Sequence, residues 1–182
     1  LESVAAVAAA HATATDGGVF PEAVVAALAS SGLLGLVSAK EVGGGGAAMA
    51  AAALVVQRLA RGCASTAMVT CMHYCAAAVI EAHGPRAVRE EIAAGRHLST
   101  LAFSELGSRS QFWVPVSTAT ADGDQVRLTA HKSWVTSARR ADSYVWSSKP
   151  VAGSELSTLW LVPSATAGLR VVDGFDGLGL RG

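Results

Sequence analysis

Two short segments hold most of the residue types that could do chemistry: Leu101-Ala-Phe-Ser-Glu-Leu-Gly-Ser-Arg-Ser110 and His131-Lys-Ser-Trp-Val-Thr136. The first gathers small hydroxyls around a glycine, which lets an ordered backbone come close to a polar ligand. The second, read as a strand over 133–136, puts the Trp134 indole and the Thr136 hydroxyl on one face. An aromatic wall with hydroxyl donors beside it suits a flat ligand that gathers negative charge along one edge. Taken singly, each residue is also ordinary, since a strand Trp is often a core residue and Ser and Thr are common in strands and turns.

The elements that must position these segments change character along the chain. Residues 20–36 read as a helix with Pro21 at its first position, where a missing N–H costs nothing, and Gly32 as its stop. Gly43-Gly-Gly-Gly46 reads as a flexible turn, followed by an Ala-rich helix over 47–61 whose Leu54, Val55 and Leu59 face a core. A third helix spans 65–82 and stops before Gly84-Pro85, and a short amphipathic one spans 86–94 and stops at Gly95. Beyond Gly95 the period becomes two. Val116, Thr118, Thr120 and Val126, Leu128, Ala130 alternate around Asp122-Gly-Asp124, which predicts a hairpin. Further strands are expected at 133–136, 143–148, 158–162 and 169–172. The chain is thus read as α+β, with an all-α helical domain over 1–97 and an antiparallel, barrel-like β domain over 98–182.

Composition narrows the function classes. At 182 residues and 51% hydrophobic content the chain is a packed globular protein. Fourteen basic and fourteen acidic residues cancel, so neither nucleic acid nor an anionic membrane surface is an expected partner. Residues 64–80 are almost uncharged but are broken by Ser65, Thr66, Thr70 and His73, and fall short of the roughly 20 apolar residues a spanning helix needs. Three cysteines in one helical stretch make a poor disulfide framework, which predicts a reducing, cytoplasmic setting. The chain opens on Leu1-Glu-Ser-Val without a basic start or an apolar run behind it. It begins without Met and stops in a Gly-rich turn, so it reads as a piece of a longer protein.

The pair of segments resembles the acyl-CoA dehydrogenase family. That family's flavin motif runs aromatic or aliphatic, Thr or Ser, Glu, Pro, Gly, x, Gly, Ser, Asp, followed later by Gly-x-Lys-x-Trp-Ile-Thr. The likeness extends over most of the chain, from Phe20-Pro-Glu and Gly32-Leu-Leu-Gly-Leu through Gly84-Pro to Gly177-Leu-Gly-Leu-Arg-Gly182, which is similar to the family's Leu-Gly-x-Arg-Gly turn. The resemblance implies an FAD site made by Leu101, Phe103, Ser104, Ser110, Trp134, Val135 and Thr136, with Ser104 and Thr136 as hydroxyl donors and Trp134 as a ring wall. It implies that Phe103 acts through its backbone and that Ser110 lies near both the cofactor pyrophosphate and an acyl thioester substrate; a surface-loop Ser is the alternative. It also implies an electron-transfer flavoprotein as acceptor and a homodimer or homotetramer. The catalytic base of the family comes from a C-terminal helical domain outside this sequence, so no residue here is assigned to catalysis, and Glu105 is expected to have a structural hydrogen-bonding role.

The sequence departs from the motif at four places: Leu106 stands for Pro, Arg109 for the second Gly, Gln111 for Asp, and His131 for the Gly before Lys132. The altered loop from Leu106 to Gln111 keeps open a flavin-dependent monooxygenase on the same fold, and the absence of the family's base from this sequence keeps open a non-catalytic subunit of a heteromeric dehydrogenase. Cys71-x-His73-x-Cys75 is not read as a metal site, because Cys71 and Cys75 share a helix face from which His73 points away. Gly43 to Gly46 lacks the Lys-Ser/Thr of a phosphate loop.

Overall fold

The computed structural model describes residues 1–109, 111, 113–153, 157–172, 174 and 176–182. Five helices come first: α1 (Glu2–Asp16), α2 (Glu22–Ser30), α3 (Met49–Ala60), α4 (Ala64–His83) and α5 (Arg86–Ala93), with a single 3-10 turn at Lys40–Val42. Five strands follow: β1 (Ser99–Ala102), β2 (Thr118–Asp122), β3 (Gln125–Thr129), β4 (Ser143–Ser148) and β5 (Thr158–Pro163).

Helix α4 is the centre of the molecule. It carries no charge from Ala64 to Ile80 and is buried along most of its length, as a helix apolar on nearly every side must be. Against one side lie α1, α2 and α3, whose Val4, Ala8, Val24, Leu28, Val55 and Leu59 form the first core cluster with Ala67 and Tyr74 of α4. The Tyr74 hydroxyl donates to the Leu33 carbonyl at 2.7 Å, which satisfies its polar end. Against the other side lies a three-stranded sheet in the order β1-β4-β5.

Parity along those strands divides the sheet into two faces. Leu101, Val145 and Leu161, with Phe103 beyond the strand end, pack on Ala76, Ala77 and Ile80 of α4. Ala102, Tyr144, Trp146, Trp160 and Val162 form the opposite face and pack with Leu128, Val135, Ala141 and Leu169. Strand β4 pairs antiparallel with β5 but parallel with β1, so the sheet is mixed where antiparallel pairing was expected. Strands β2 and β3 form the predicted hairpin, with Gly123 in the left-handed region at its turn.

His73 ties the helices to the sheet. Fully buried, it donates from Nε2 to the Leu34 carbonyl at 3.0 Å and accepts the Ser99 N–H at Nδ1 at 3.1 Å. The Gly177 to Gly182 segment returns to the helical end: the Ser65 hydroxyl donates to the Gly179 carbonyl at 3.1 Å, and Arg181 pairs with Asp16.

Several expectations are corrected. Helix α1 was not foreseen, and α2 ends at Ser30 rather than running to residue 36. Leu54 is 63% exposed, because α3 turns Ala52, Val55 and Leu59 inward. Gly43 to Gly46 is no loose turn: Gly44, Gly45 and Gly46 donate to the carbonyls of Ala39, Gly35 and Ser38. A Cβ at Gly44 would lie 2.3 Å from the Ser38 oxygen, so the run is glycine for close backbone approach. Among the described residues neither 133–136 nor 169–172 is a strand. In the first, Trp134 takes φ 54°, which no extended chain contains; in the second, no strand among the described residues pairs with it.

Candidate functional site

The two segments singled out by residue type meet in space. Glu105 and Lys132 form an isolated antiparallel bridge, the Leu106 N–H donates to the His131 carbonyl at 3.0 Å, and the Ser133 N–H donates to the Ser104 carbonyl at 2.9 Å. This short ladder sets Ser104 beside the chain that leads directly into Trp134 and Thr136.

A buried ion pair locks the junction. The Lys132 ammonium lies 2.6 Å from Glu105 Oε1, and the two side chains are 4% and 1% exposed. Glu105 Oε2 accepts the N–H groups of Val116 at 2.5 Å and Ser117 at 3.0 Å, while Lys132 Nζ also donates to the Ser147 carbonyl at 2.6 Å and hydroxyl at 3.1 Å. Burial by itself would raise the Glu105 carboxyl, but the Lys132 ammonium and the Ser117 and Val116 donors outweigh it and hold the group below its ordinary value. Burial pushes the Lys132 ammonium down, against the opposing pull of Glu105. The Glu105 carboxylate is therefore engaged in joining three stretches of chain, with hydrogen bonds of the structural kind that the family resemblance implied for it.

Beyond the lock the chain reverses. Trp134 and Ser137 take φ 54° and 59°, and Arg109 takes φ 51° on the facing loop. The left-handed conformation costs a non-glycine residue roughly 1–2 kcal/mol. Between these two turns Val135 enters the core under the sheet, packing with Tyr144 and Val162. The Trp134 indole is pushed outward and is 71% exposed. Ser104 and Thr136 are half-buried, and among the described residues neither hydroxyl is tied up in a hydrogen bond. Leu101 and Phe103 are half-buried against α4. Ser110 lies outside the described residues. Leu106 and Trp113, which sequence reasoning did not single out for the site, are large apolar side chains exposed near the same loop; a Leu in place of the motif's Pro was the one signal available for the first.

Comparison with known proteins decides the family. The model of the acyl-CoA dehydrogenase N-terminal domain matches residues 2–95, half of the chain. The chain belongs to the acyl-CoA dehydrogenase family. The human mitochondrial short-chain specific acyl-CoA dehydrogenase is 30% identical over 170 residues, which cover 90% of this chain and 41% of that protein. The chain thus spans less than half the length of this relative. Among solved structures, a putative acyl-CoA dehydrogenase from Mycobacterium smegmatis superposes with a TM-score of 0.84 at 25% identity, over 99% of this chain and 50% of that one. A nitrososynthase from Micromonospora carbonacea var. africana superposes with a TM-score of 0.81 at 25% identity, over 99% and 48%. The family match falls on the helical half, whereas Ser104, Trp134 and Thr136 lie in the strand half beyond it.

The cysteines take no part in this site. All three are free thiols. Among the described residues no group of three or more His, Cys, Asp or Glu is placed to hold a metal, and no helix is long and apolar enough to cross a membrane.

Proposed function

We propose that this chain is the helical domain, 1–97, and most of the β domain, 98–182, of an FAD-dependent dehydrogenase that introduces an α,β double bond into an acyl thioester. The observation that supports the reading is the junction of 104–106 with 131–133, which sets Ser104 beside the chain leading into Trp134 and Thr136. The residues present fit a flat ring. An indole that is 71% exposed beside unengaged hydroxyls is costly for a surface and suits a wall against which a conjugated system lies. FAD bound there supplies the hydride acceptor.

The chain's own contribution is binding and polarity. Trp134 would hold one face of the ring system, Ser104 and Thr136 would donate hydrogen bonds to its electron-rich edge, Leu101 and Phe103 would flank that edge with the Phe103 backbone making the contact, and Val135, packed in the core, would anchor the segment that carries Trp134 and Thr136. Glu105 and Lys132 neutralise each other and keep the two segments in register without adding net charge. The base that takes the α-proton belongs to the C-terminal part of the longer protein, and an electron-transfer flavoprotein, a homo-oligomeric assembly and a cytoplasmic location complete the reading.

The test is Trp134→Ala in the full-length protein. Because the indole is exposed, its removal leaves stability almost unchanged, so weaker FAD retention at constant thermal midpoint is the expected result; unchanged affinity refutes the seat. A second reading, oxygen activation on the same fold, is favoured by one observation: Leu106 and Arg109 replace the motif's Pro and Gly on the facing loop, where Arg109 is held at positive φ. Anaerobic mixing with acyl thioesters separates the two. Bleaching of the flavin followed by slow reoxidation in air supports dehydrogenation, whereas no bleaching, rapid oxygen uptake and a hydroxylated product assign the monooxygenase.

A further inference from the structure

A cleft of about 360 Å³ opens where α2 meets the connector 95–98 and the turn that leads into β4. That volume is enough for a small organic molecule. Its apolar lining comes from Val25, Ala29, Leu34 and Leu98. The charges around it cancel, with one exception. Arg140 pairs with Glu22 at 2.8 Å and rests over the Phe20 ring, 5.7 Å from its centre. Arg96 is turned to Glu91, which it holds through Nε at 2.8 Å and a terminal nitrogen at 2.7 Å. The exposed Asp142 accepts the Leu98 N–H at Oδ2 at 2.8 Å, while its Oδ1 has no partner and its charge no counter-ion among the described residues.

Beside it His97 presents a second open acceptor, which follows from counting protons. A serine hydroxyl has a single proton. The Ser99 hydroxyl spends its own on the Ser143 carbonyl at 3.2 Å, so the 3.0 Å contact between the two hydroxyls takes the proton of Ser143. The 2.7 Å bond between Ser143 Oγ and His97 must then be donated by the ring, from Nε2. Nδ1 of the neutral imidazole is left as an acceptor. It has no partner, and it is not sealed inside, since the enclosed side-chain polar atoms without a partner among the described residues are Thr100 Oγ1 and Trp146 Nε1. Burial holds the His97 pKa below its ordinary value against the opposing pull of Asp142 and Glu91, which keeps the ring in this form at neutral pH.

We propose that the cleft binds a small organic cation, a primary ammonium carried on an apolar body, with Asp142 as its counter-charge and His97 Nδ1 as a second acceptor. Two N–H donors of the ammonium meet Asp142 Oδ1 and His97 Nδ1, and the body lies on Val25, Ala29, Leu34 and Leu98. A carboxylate in the same place faces the unpaired Asp142 charge, and an alcohol leaves that charge uncompensated. The site does not rest on the flavin reading, because none of its lining residues belongs to the 101–110 or 131–136 segments.

The experiment is isothermal titration calorimetry of the full-length protein with hexylammonium, hexyltrimethylammonium, hexanol and hexanoate. Hexylammonium is expected to bind saturably with one equivalent per chain. Hexanol and hexanoate, which lack the charge or reverse it, and hexyltrimethylammonium, which keeps the charge but has no N–H donor, bind at least about 10-fold more weakly, the worth of a hydrogen bond to a charged group. Asp142→Asn retains an oxygen for the Leu98 N–H and loses the charge, so it weakens hexylammonium by about 10-fold or more. Ala26→Trp, at an exposed lining position of α2, fills the cleft and abolishes binding. Asp124→Asn, in the hairpin turn, leaves it unchanged. Far-UV circular dichroism checks each fold, and Ala26→Trp decides the matter where Asp142→Asn fails to fold. Absence of saturable binding to the wild type, equal affinity for any of the other three probes, wild-type affinity in a folded Asp142→Asn or Ala26→Trp variant, or loss of binding in Asp124→Asn overturns the proposal.

Discussion

Titration of His73 should account for a measurable share of the acid sensitivity of this fold. Its ring is fully buried, and desolvation pulls its pKa from 6.5 down to about 4, against smaller upward pulls from its bonds with Leu34 and Ser99. The Ser99 N–H already occupies Nδ1, so a proton arriving there turns an acceptor into a second donor facing a donor. The folded-state value lies below the unfolded one. The stabilising contribution is therefore fully present above about pH 6.5 and is lost as pH falls towards 4, where folded and unfolded chains both carry the proton. A separation of that size corresponds to about 3 kcal/mol in all. The measurement is urea unfolding of wild type and His73→Gln from about pH 7.5, roughly one unit above the upper end of the window, down to about pH 4, its lower end. Gln can serve as donor and acceptor but does not titrate, so the variant starts from lower stability and loses less of it on acidification. His97, which burial also pushes down, titrates in both proteins, and its weak repulsion of a charged His73 is part of the difference being measured. Parallel stability curves across the window would refute the reasoning.

Two further substitutions probe the framework of the site. Glu105→Gln leaves the buried Lys132 ammonium without its counter-charge and should destabilise the protein by about 3 kcal/mol, read by urea unfolding at pH 7; in the full-length flavoprotein the same variant should retain thioester-dependent bleaching, and loss of bleaching by orders of magnitude with FAD still bound would make Glu105 the base. Gly44→Ala drives a methyl group to 2.3 Å from the Ser38 carbonyl oxygen, a backbone atom that cannot swing aside. It should lower stability by about 1–3 kcal/mol, and an unshifted thermal midpoint would show that the glycine run is looser than its hydrogen bonds imply.

Much of the helical half is legible because its punctuation and its apolar runs agree. The stretches read as 47–61, 65–82 and 86–94 fold as Met49–Ala60, Ala64–His83 and Arg86–Ala93, since Gly-Pro and terminal glycines mark their ends without competition from the core. Helix α1 is harder to read. It buries Val4, Ala5, Ala8 and Thr15, small side chains that differ little from the Ala and Thr on its exposed side. Leu54 fails for a related reason: it sits in the run Ala53-Leu-Val-Val56, where every register offers an apolar residue and only packing against α4 selects Val55. Strand β4 matches its expected limits of 143 and 148, yet nothing in its alternation tells that β1 will join it in parallel.

The site was legible in residue type but not in geometry. Glu105 and Lys132 stand 27 positions apart, and their pairing is a tertiary fact that neither segment announces. The alternation of Ser133, Trp134 and Val135 argues for a strand, and what overrides it is a conflict of anchors: Ser133 is fixed by the Ser104 carbonyl while Val135 must enter the core beneath Tyr144. The chain meets both demands only by passing through the left-handed region at Trp134. Among the described residues the non-glycine positions with positive φ are Arg109, Trp134 and Ser137. The first two lie inside the segments chosen for their chemistry and the third follows directly after. Unfavourable backbone persists where surrounding structure over-determines it, and such places gather at binding sites. Backbone strain and side-chain chemistry are independent observations, and in this chain they single out the same two loops.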